Sequence, residues 1–188
     1  MTIFCLEGEW GNMRSRESVL PMLDLLDRLG VSNFVHRDVA TQEEFRYYFD
    51  RFARAKATTY PVLYLAGHGG VGTFVLGGKN EIELGEMAEM MRGKLTDRVI
   101  YFGSCLVGSA DDDELKEFAK ATGARFVIGY SSSVDWLESA SFDLLLLGLV
   151  VDGWRSEALY KRIIKDRELW AESLGVVVAT KANVHRAR

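Results

Sequence analysis

Short apolar runs alternate with amphipathic stretches along most of the chain. The first run, Ile3-Phe-Cys-Leu6, ends at Glu7-Gly8. From Arg16 to Leu29, apolar residues fall at 19, 20, 22, 23, 25, 26 and 29, a helical stripe closed by Gly30. Asn33-Phe-Val-His36 predicts a second strand, and Thr41-Gln-Glu-Glu44 a capping box that opens a helix to about Ala57. Pro61-Val-Leu-Tyr-Leu-Ala66 is nearly all apolar, as expected of a strand buried on both faces. Thr73–Leu76 and Glu81–Leu84 flank Gly77-Gly-Lys-Asn80 as a hairpin, and Gly85 to Leu95 has helical spacing. Arg98–Phe102 and Arg125–Gly129 predict a fourth and a fifth strand. The acids Asp111-Asp-Asp-Glu114 stand between them, in the first turn of a helix to about Ala121. Helices are expected over Ser139–Val151 and Ser156–Leu174, then an apolar sixth strand, Gly175–Thr180, at the sheet edge. The basic stretch Lys181 to Arg188 has the composition of a solvated tail.

This alternation predicts an α/β three-layer sandwich, a mostly parallel sheet with helices on both faces, formed by residues 1–188 as one domain. The composition agrees: 188 residues, 48% apolar, suffice for one sizeable core. The net charge of −4 gives no general attraction to nucleic acid or to an anionic membrane. The N-terminus lacks the basic region and apolar length of a signal peptide. The longest apolar stretch, Leu144 to Val151, falls well below the roughly 20 residues of a membrane span. The expectation is a cytoplasmic protein with reduced thiols.

With two cysteines and three histidines, the chain has few places for nucleophilic or acid–base chemistry. In open α/β sheets ligands bind at the carboxyl ends of the strands. The third strand ends in Ala66-Gly-His68-Gly-Gly70 and the fourth in Gly103-Ser-Cys105. If these strands are neighbours, an imidazole and a thiol meet at the mouth of the sheet, where the base can take the thiol proton. The amides of Gly69 and Cys105 are the candidate oxyanion donors. Singly, such a Cys is most often a small buried hydrophobe and such a His a satisfied polar residue; the pairing at consecutive strand ends is what points to chemistry. Cys5 lies inside the first strand and is expected in the core, while His36 and His185 have no nucleophilic neighbour. No pair of His, Cys or acidic residues has zinc-ligand spacing, so neither a metal nor a cofactor is expected.

Val62-Leu-Tyr-Leu-Ala-Gly-His68-Gly69 and Val99-Ile-Tyr-Phe-Gly-Ser-Cys105 resemble the two catalytic motifs of the caspase-like cysteine peptidases, the group of caspases, metacaspases, separases, gingipains and CHAT domains. Within the group, the chain is most similar to small bacterial caspase-like proteins. The order of the motifs and the step of 37 residues from His68 to Cys105 suit the group, and so does the strand–helix order over about residues 2–150. The resemblance implies a caspase-hemoglobinase fold with His68 as general base and acid, Cys105 as nucleophile and Gly69 as an oxyanion donor. The sequence departs from caspases around the nucleophile, where Gly103-Ser-Cys-Leu-Val107 replaces Gln-Ala-Cys-Arg-Gly. No acidic third member is evident, so a dyad is expected.

By the same resemblance, the residue before the cleaved bond (P1) binds between the loop after the first strand and the loop after the fifth. The first loop holds Glu7, Glu9, Trp10, Asn12, Arg14 and Arg16, and the second holds Asp135 and Trp136. Arg14 or Arg16 stands where caspases bind aspartate, and Asp135 where separase-like members bind arginine. The reading adopted is Asp135 with a basic P1 residue. The structural alternatives are that Arg14 and Arg16 are a solvated helix start, that Asp135 caps the next helix, and that Trp136 is core instead of cleft wall.

The expected activity is that of a cysteine endopeptidase acting through an acyl-enzyme on a protein or peptide. One alternative is a catalytically silent binding or signalling module of the same fold. Another is an amidase or acyltransferase on small molecules with the same dyad. Expected partners are the substrate, a regulatory protein, and a second copy paired through the apolar edge Gly175–Thr180; nucleic acid and membrane are not expected.

Overall fold

The computed structural model describes residues 1–12, 14–153 and 155–187. Its strands are β1 (Thr2–Glu7), β2 (Asn33–Asp38), β3 (Val62–Ala66), β4 (Gly69–Gly70), β5 (Thr73–Gly77), β6 (Asn80–Glu83), β7 (Val99–Gly103), β8 (Phe126–Tyr130), β9 (Val176–Ala179) and β10 (Val184–Arg186). Its helices are α1 (Leu20–Arg28), α2 (Gln42–Arg54), α3 (Leu84–Met91), α4 (Asp112–Thr122), α5 (Trp136–Val151) and α6 (Ser156–Leu174). The main sheet runs β10-β9-β8-β7-β3-β1-β2. Its strands are parallel from β2 through β8, and β9 and β10 are added antiparallel.

Strand alternation divides the core in two. Phe4, Leu6, Leu63, Leu65, Ile100 and Phe102 face one layer, where Phe45, Phe49 and Phe52 of α2, Met87 and Met91 of α3 and Phe118 of α4 pack on them. Ile3, Cys5, Tyr64, Tyr101 and Ile128 face the other, covered by Leu23 of α1, Phe142 and Leu147 of α5 and Leu159 of α6. Period-two side chains buried on both faces explain why these strands are continuously apolar. Cys5 is fully buried, and that burial pushes its thiol well above the ordinary range, so it stays protonated. Among the described residues, no helix is long and apolar enough to cross a membrane.

Helix α5 begins at Trp136 instead of Ser139, and three further differences from the sequence expectation bear on the rest of the structure. Helix α1 starts at Leu20 instead of Arg16, because the Val19 amide and the Ser18 hydroxyl are drawn to the Glu7 carboxylate. The stretch after Thr180 is solvent-exposed over residues 181–183 but is not a free tail beyond it. It forms β10, with His185 stacked on Tyr160 at 5.0 Å and Ala187 buried; Arg188 lies outside the described residues. Consequently Gly175–Thr180 is not the sheet edge. β9 is paired on both sides, and the apolar surface suggested for a second copy is already covered by β10.

β10 also reaches the loop after Cys105. The Arg186 guanidinium donates to the carbonyls of Gly108 (2.7 Å) and Ala110 (2.8 Å) and to Asp112 (2.8 Å). A lysine cannot reproduce this planar fork. Arg186→Ala is expected to lower the unfolding free energy by about 2 kcal/mol, the size of a hydrogen bond to a charged group. Arg186→Lys should recover only part of it, as measured by urea denaturation.

Under the carboxyl end of the sheet lies a buried carboxylate. Asp143 of α5 accepts hydrogen bonds from the hydroxyls of Tyr64 (2.5 Å), Tyr101 and Tyr130, so one helix is tied to three adjacent strands. Burial raises the Asp143 carboxyl from 3.8 to about 6, although the tyrosine hydrogen bonds oppose the rise. The folded chain therefore binds this proton more tightly than the unfolded chain. The resulting stabilisation is complete below 3.8 and is lost as pH rises through about 6. At 1.36 kcal/mol per unit it amounts to about 3 kcal/mol. Asp143→Asn, which cannot ionise, is expected to flatten the fall in unfolding free energy across that interval. An unchanged slope in urea titrations would contradict the assignment.

Candidate active site

The parallel pairing of β3 with β7 sets Ala66 opposite Gly103. The Gly67 amide continues the ladder to the Gly103 carbonyl at 3.4 Å. His68 and Cys105 each stand two residues beyond that last matched pair, so the sheet delivers them side by side at its carboxyl end. The glycine between the two chain ends has a packing reason. A Cβ on Gly69 would collide with the Cys105 carbonyl and stand 3.1 Å from Ser104 Cβ. Only a residue without a side chain lets these two loops close on each other.

His68 is exposed, and its Nε2 lies 2.6 Å from the Trp10 carbonyl. A carbonyl only accepts, so Nε2 carries the proton and Nδ1 of the neutral ring is the free base. The Trp10 indole packs edge-on against the imidazole at 5.4 Å and meets the Trp136 indole, also edge-on, at 6.2 Å.

Cys105 is half-buried. Its Sγ donates to the Val134 carbonyl at 3.7 Å and accepts from the Val134 amide at 3.4 Å. Leu106, next to it, has φ +60°, a left-handed conformation that a branched aliphatic residue seldom adopts. Its amide is bonded to the Ser132 carbonyl (3.2 Å), and the Val107 amide to the Cys105 carbonyl (2.7 Å). Those two amides are therefore already committed, one to the loop after β8 and one within its own loop. Beside the thiol, the Ser104 hydroxyl is buried without a hydrogen-bond partner.

The loop after β1 arrives over His68 because the end of β3 and the small antiparallel sheet β4-β5-β6 hold it there. The Gly8 amide bonds to the Ala66 carbonyl at 2.8 Å and the Glu9 amide to the Leu76 carbonyl at 2.6 Å. A Cβ on Gly8 would strike the Val75 carbonyl at 2.5 Å, so glycine permits this crossing.

Glu7 was expected among the loop residues facing the pocket. It is instead a buried end to β1, 2% exposed. Its Oε1 accepts from the Trp10 indole N–H (2.5 Å) and the Val19 amide (2.7 Å). Its Oε2 accepts from the Ser18 hydroxyl (2.7 Å) and pairs with His36 Nε2 (2.5 Å). Burial pushes this carboxyl up, but the bonds from His36, Trp10, Ser18 and Val19 outweigh it and hold the group below its ordinary value.

Zinc-ligand spacing along the sequence missed one juxtaposition. Parallel pairing of β1 with β2 brings Glu7, His36 and Asp38 together, with donor atoms within 4.8 Å of one another. Both Glu7 oxygens are already engaged by the four donors just named.

The pocket residues separate into two groups. Trp10, Asn12, Arg14, Arg16, Glu17 and Trp136 line an open trough of about 740 Å³, bounded by the same two loops that hold His68 and Cys105. Asp135 lies outside this lining. Its Oδ1 accepts from the amides of Leu137 (2.9 Å) and Glu138 (3.0 Å), which makes it the N-cap of α5. Arg14 and Arg16 precede α1 instead of starting it. Trp136 is half-buried, both wall and support, and its indole Nε1 is buried without a partner.

Two participants escaped the sequence reading because they act through the backbone: the Trp10 carbonyl on His68 and the Val134 peptide on Cys105. Glu7 did leave a trace, as an ionisable residue closing a strand whose preceding residues, Ile3 to Leu6, are apolar and buried.

The fold has a known counterpart. A secreted C11 cysteine protease from Bacteroides thetaiotaomicron, solved in complex with an irreversible peptide inhibitor, superposes with a TM-score of 0.61 at 12% sequence identity. The match covers 96% of this chain and 66% of that one, so the present chain spans just under two thirds of the protease's length. At that identity the likeness shows the fold, which is caspase-like. No curated protein matches the sequence. A family model described as a family of unknown function (DUF6642) matches residues 1–175, and the chain belongs to that family.

Proposed function

We propose that the chain is a cysteine peptidase in which Cys105 is the nucleophile and His68 the general base and acid. The observation that carries this reading is the pairing of the two strand ends, with His68 Nε2 bound to the Trp10 carbonyl so that Nδ1 is the basic nitrogen. In the first step His68 Nδ1 takes the Cys105 proton and the sulfur attacks the scissile carbonyl carbon. The oxyanion is met by the Gly69 and Cys105 amides, since those of Leu106 and Val107 are already bonded. The C–N bond then breaks, His68 returns the proton to the departing amine, and a thioester remains on Cys105. Water, deprotonated by His68, hydrolyses it to the acid and the free thiol. A dyad assisted by a backbone carbonyl needs no acidic third residue. An open trough suits a polypeptide better than a small molecule, which a closed cavity would hold more completely.

For specificity, the arrangement supports Arg14 and Arg16 over Asp135. The two arginines line the trough beside the indoles, while Asp135 caps α5 from outside it. A carboxylate side chain at P1 is the complementary substrate group.

Cys105→Ala and His68→Ala are each expected to reduce peptide hydrolysis by about 10³-fold or more. Hydrolysis at the wild-type rate by either variant overturns the dyad, and a wild-type chain inert to unfolded protein substrates favours the binding-module alternative. In a P1-varied peptide series, Asp or Glu should exceed Arg or Lys. Arg14→Ala with Arg16→Ala should lower kcat/KM for the acidic peptides by about tenfold or more, one lost charge-assisted bond. Preference for Arg that disappears in Asp135→Ala restores the opposite assignment.

A further inference from the structure

One buried charged group takes no part in the proposed chemistry. Glu7 is a charged residue with all of its acceptor capacity turned inward, at the end of the strand whose following loop touches His68. A buried carboxylate is costly unless each oxygen is satisfied, and here four donors converge on it from three parts of the chain. Ser18 and Val19 come from the entry to α1, His36 from β2 and Trp10 from the loop. Asp38 adds a further charge near His36 at 3.9 Å, and Glu9 and Glu17 border the same recess.

Trp10 is the only one of the four donors that also touches the imidazole. Its indole N–H is held by Glu7, its ring lies edge-on against His68, and its carbonyl accepts from His68 Nε2 at 2.6 Å. Fixing the indole at one end fixes the direction of the carbonyl at the other. The loop is otherwise glycine-flanked, with Gly8 and Gly11 on either side of Glu9 and Trp10, and glycine leaves the backbone free to turn. A ring nitrogen held by an outer partner sets which tautomer the imidazole presents.

We propose that Glu7 is a positioning residue for His68, acting through Trp10: it anchors the indole so that the Trp10 carbonyl keeps the imidazole protonated at Nε2, with Nδ1 turned to Cys105. This rests on the His68–Cys105 reading. The link is covalent and hydrogen-bonded throughout, from the carboxylate to the indole N–H, along the Trp10 residue to its carbonyl, and on to the ring N–H. Ser18, Val19 and His36 hold the carboxylate, so α1 and β2 both support the general base.

The test uses the full chain with Glu7→Ala, Glu7→Gln and Trp10→Phe, each checked for cooperative unfolding. Glutamine keeps an acceptor for the indole, and phenylalanine removes the donor and part of the indole while keeping an aromatic ring and the backbone carbonyl. The first readout is the ¹⁵N NMR signature of the His68 ring, which reports the tautomer without any need for turnover. The second is the pH profile of iodoacetamide alkylation at Cys105, located by mass spectrometry; buried Cys5 serves as the internal control for unfolding.

Wild type and Glu7→Gln should show the neutral ring protonated at Nε2 and similar alkylation rates. Trp10→Phe and Glu7→Ala should show mixed tautomers and alkylation slower by about ten- to a hundredfold near neutral pH, the usual scale for misplacing a catalytic group. If Glu7→Ala does not fold, Trp10→Phe alone decides. An unchanged tautomer and alkylation profile in Trp10→Phe overturns the proposal, even where its stability has fallen, since a merely structural role would move only the stability. His68→Ala separates the two levels. If it alkylates as fast as wild type, the dyad itself fails. If it is slow while Trp10→Phe is unaffected, the dyad stands and only the positioning role of Glu7 falls.

Discussion

The parallel pairing of β3 with β7 is the constraint on which the site depends. A one-residue slip would turn each strand inside out, moving Tyr64 and Tyr101 to the layer of Leu65 and Phe102. It would also separate His68 from Cys105. Both strands are buried on both faces, so the register is specified from two sides at once. The Asp143 network adds a polar specification, because one carboxylate is bonded by hydroxyls from β3, β7 and β8 together. A slip in any of them would leave a buried hydroxyl or the carboxylate without a partner.

On that platform the reactive groups are held by loops from elsewhere in the chain. The loop after β1 supplies the carbonyl for His68, and the loop after β8 supplies the peptide that holds Cys105. Arg186, near the end of the described chain, secures the turn that follows the thiol. Three segments distant in sequence therefore meet around the His68 and Cys105 side chains. Each arrives for a simple local reason: a glycine crossing at Gly8, a capping aspartate at Asp135, a guanidinium fork at Arg186. The left-handed Leu106 marks where the chain is forced sharply, directly after Cys105, and such conformations persist only where the surroundings over-determine them.

Much of this was legible in the sequence, because the relevant signals are periodic or compositional. The double-faced apolar strands, the capping box at Thr41 and the paired strand ends at His68 and Cys105 all follow from side-chain identity and spacing. What escaped depends on register or on the backbone. The stretch from Lys181 reads as a solvated tail because it is polar and basic, yet only its first three residues are exposed; Val184–Arg186 pair as β10, the Arg186 guanidinium bonds inward and Ala187 is buried. For Asp135 the sequence offered two readings, a substrate-binding acid by resemblance and a helix cap by position, and the two amides it accepts from are those of the cap. The Trp10 carbonyl carries no residue-type signal at all. Glu7, His36 and Asp38 meet only after β1 and β2 are laid in register, since their separation in the chain matches no ligand motif.

The central claim is that His68 and Cys105 act as one nucleophilic unit, and covalent trapping tests it most directly. The chain would be incubated with a peptidyl acyloxymethyl ketone and digested, and the adduct located by mass spectrometry. The account predicts one adduct per chain, on Cys105 and never on buried Cys5, formed much more slowly when His68 is alanine. Absence of an adduct on Cys105, or labelling of His68→Ala at the wild-type rate, would contradict it.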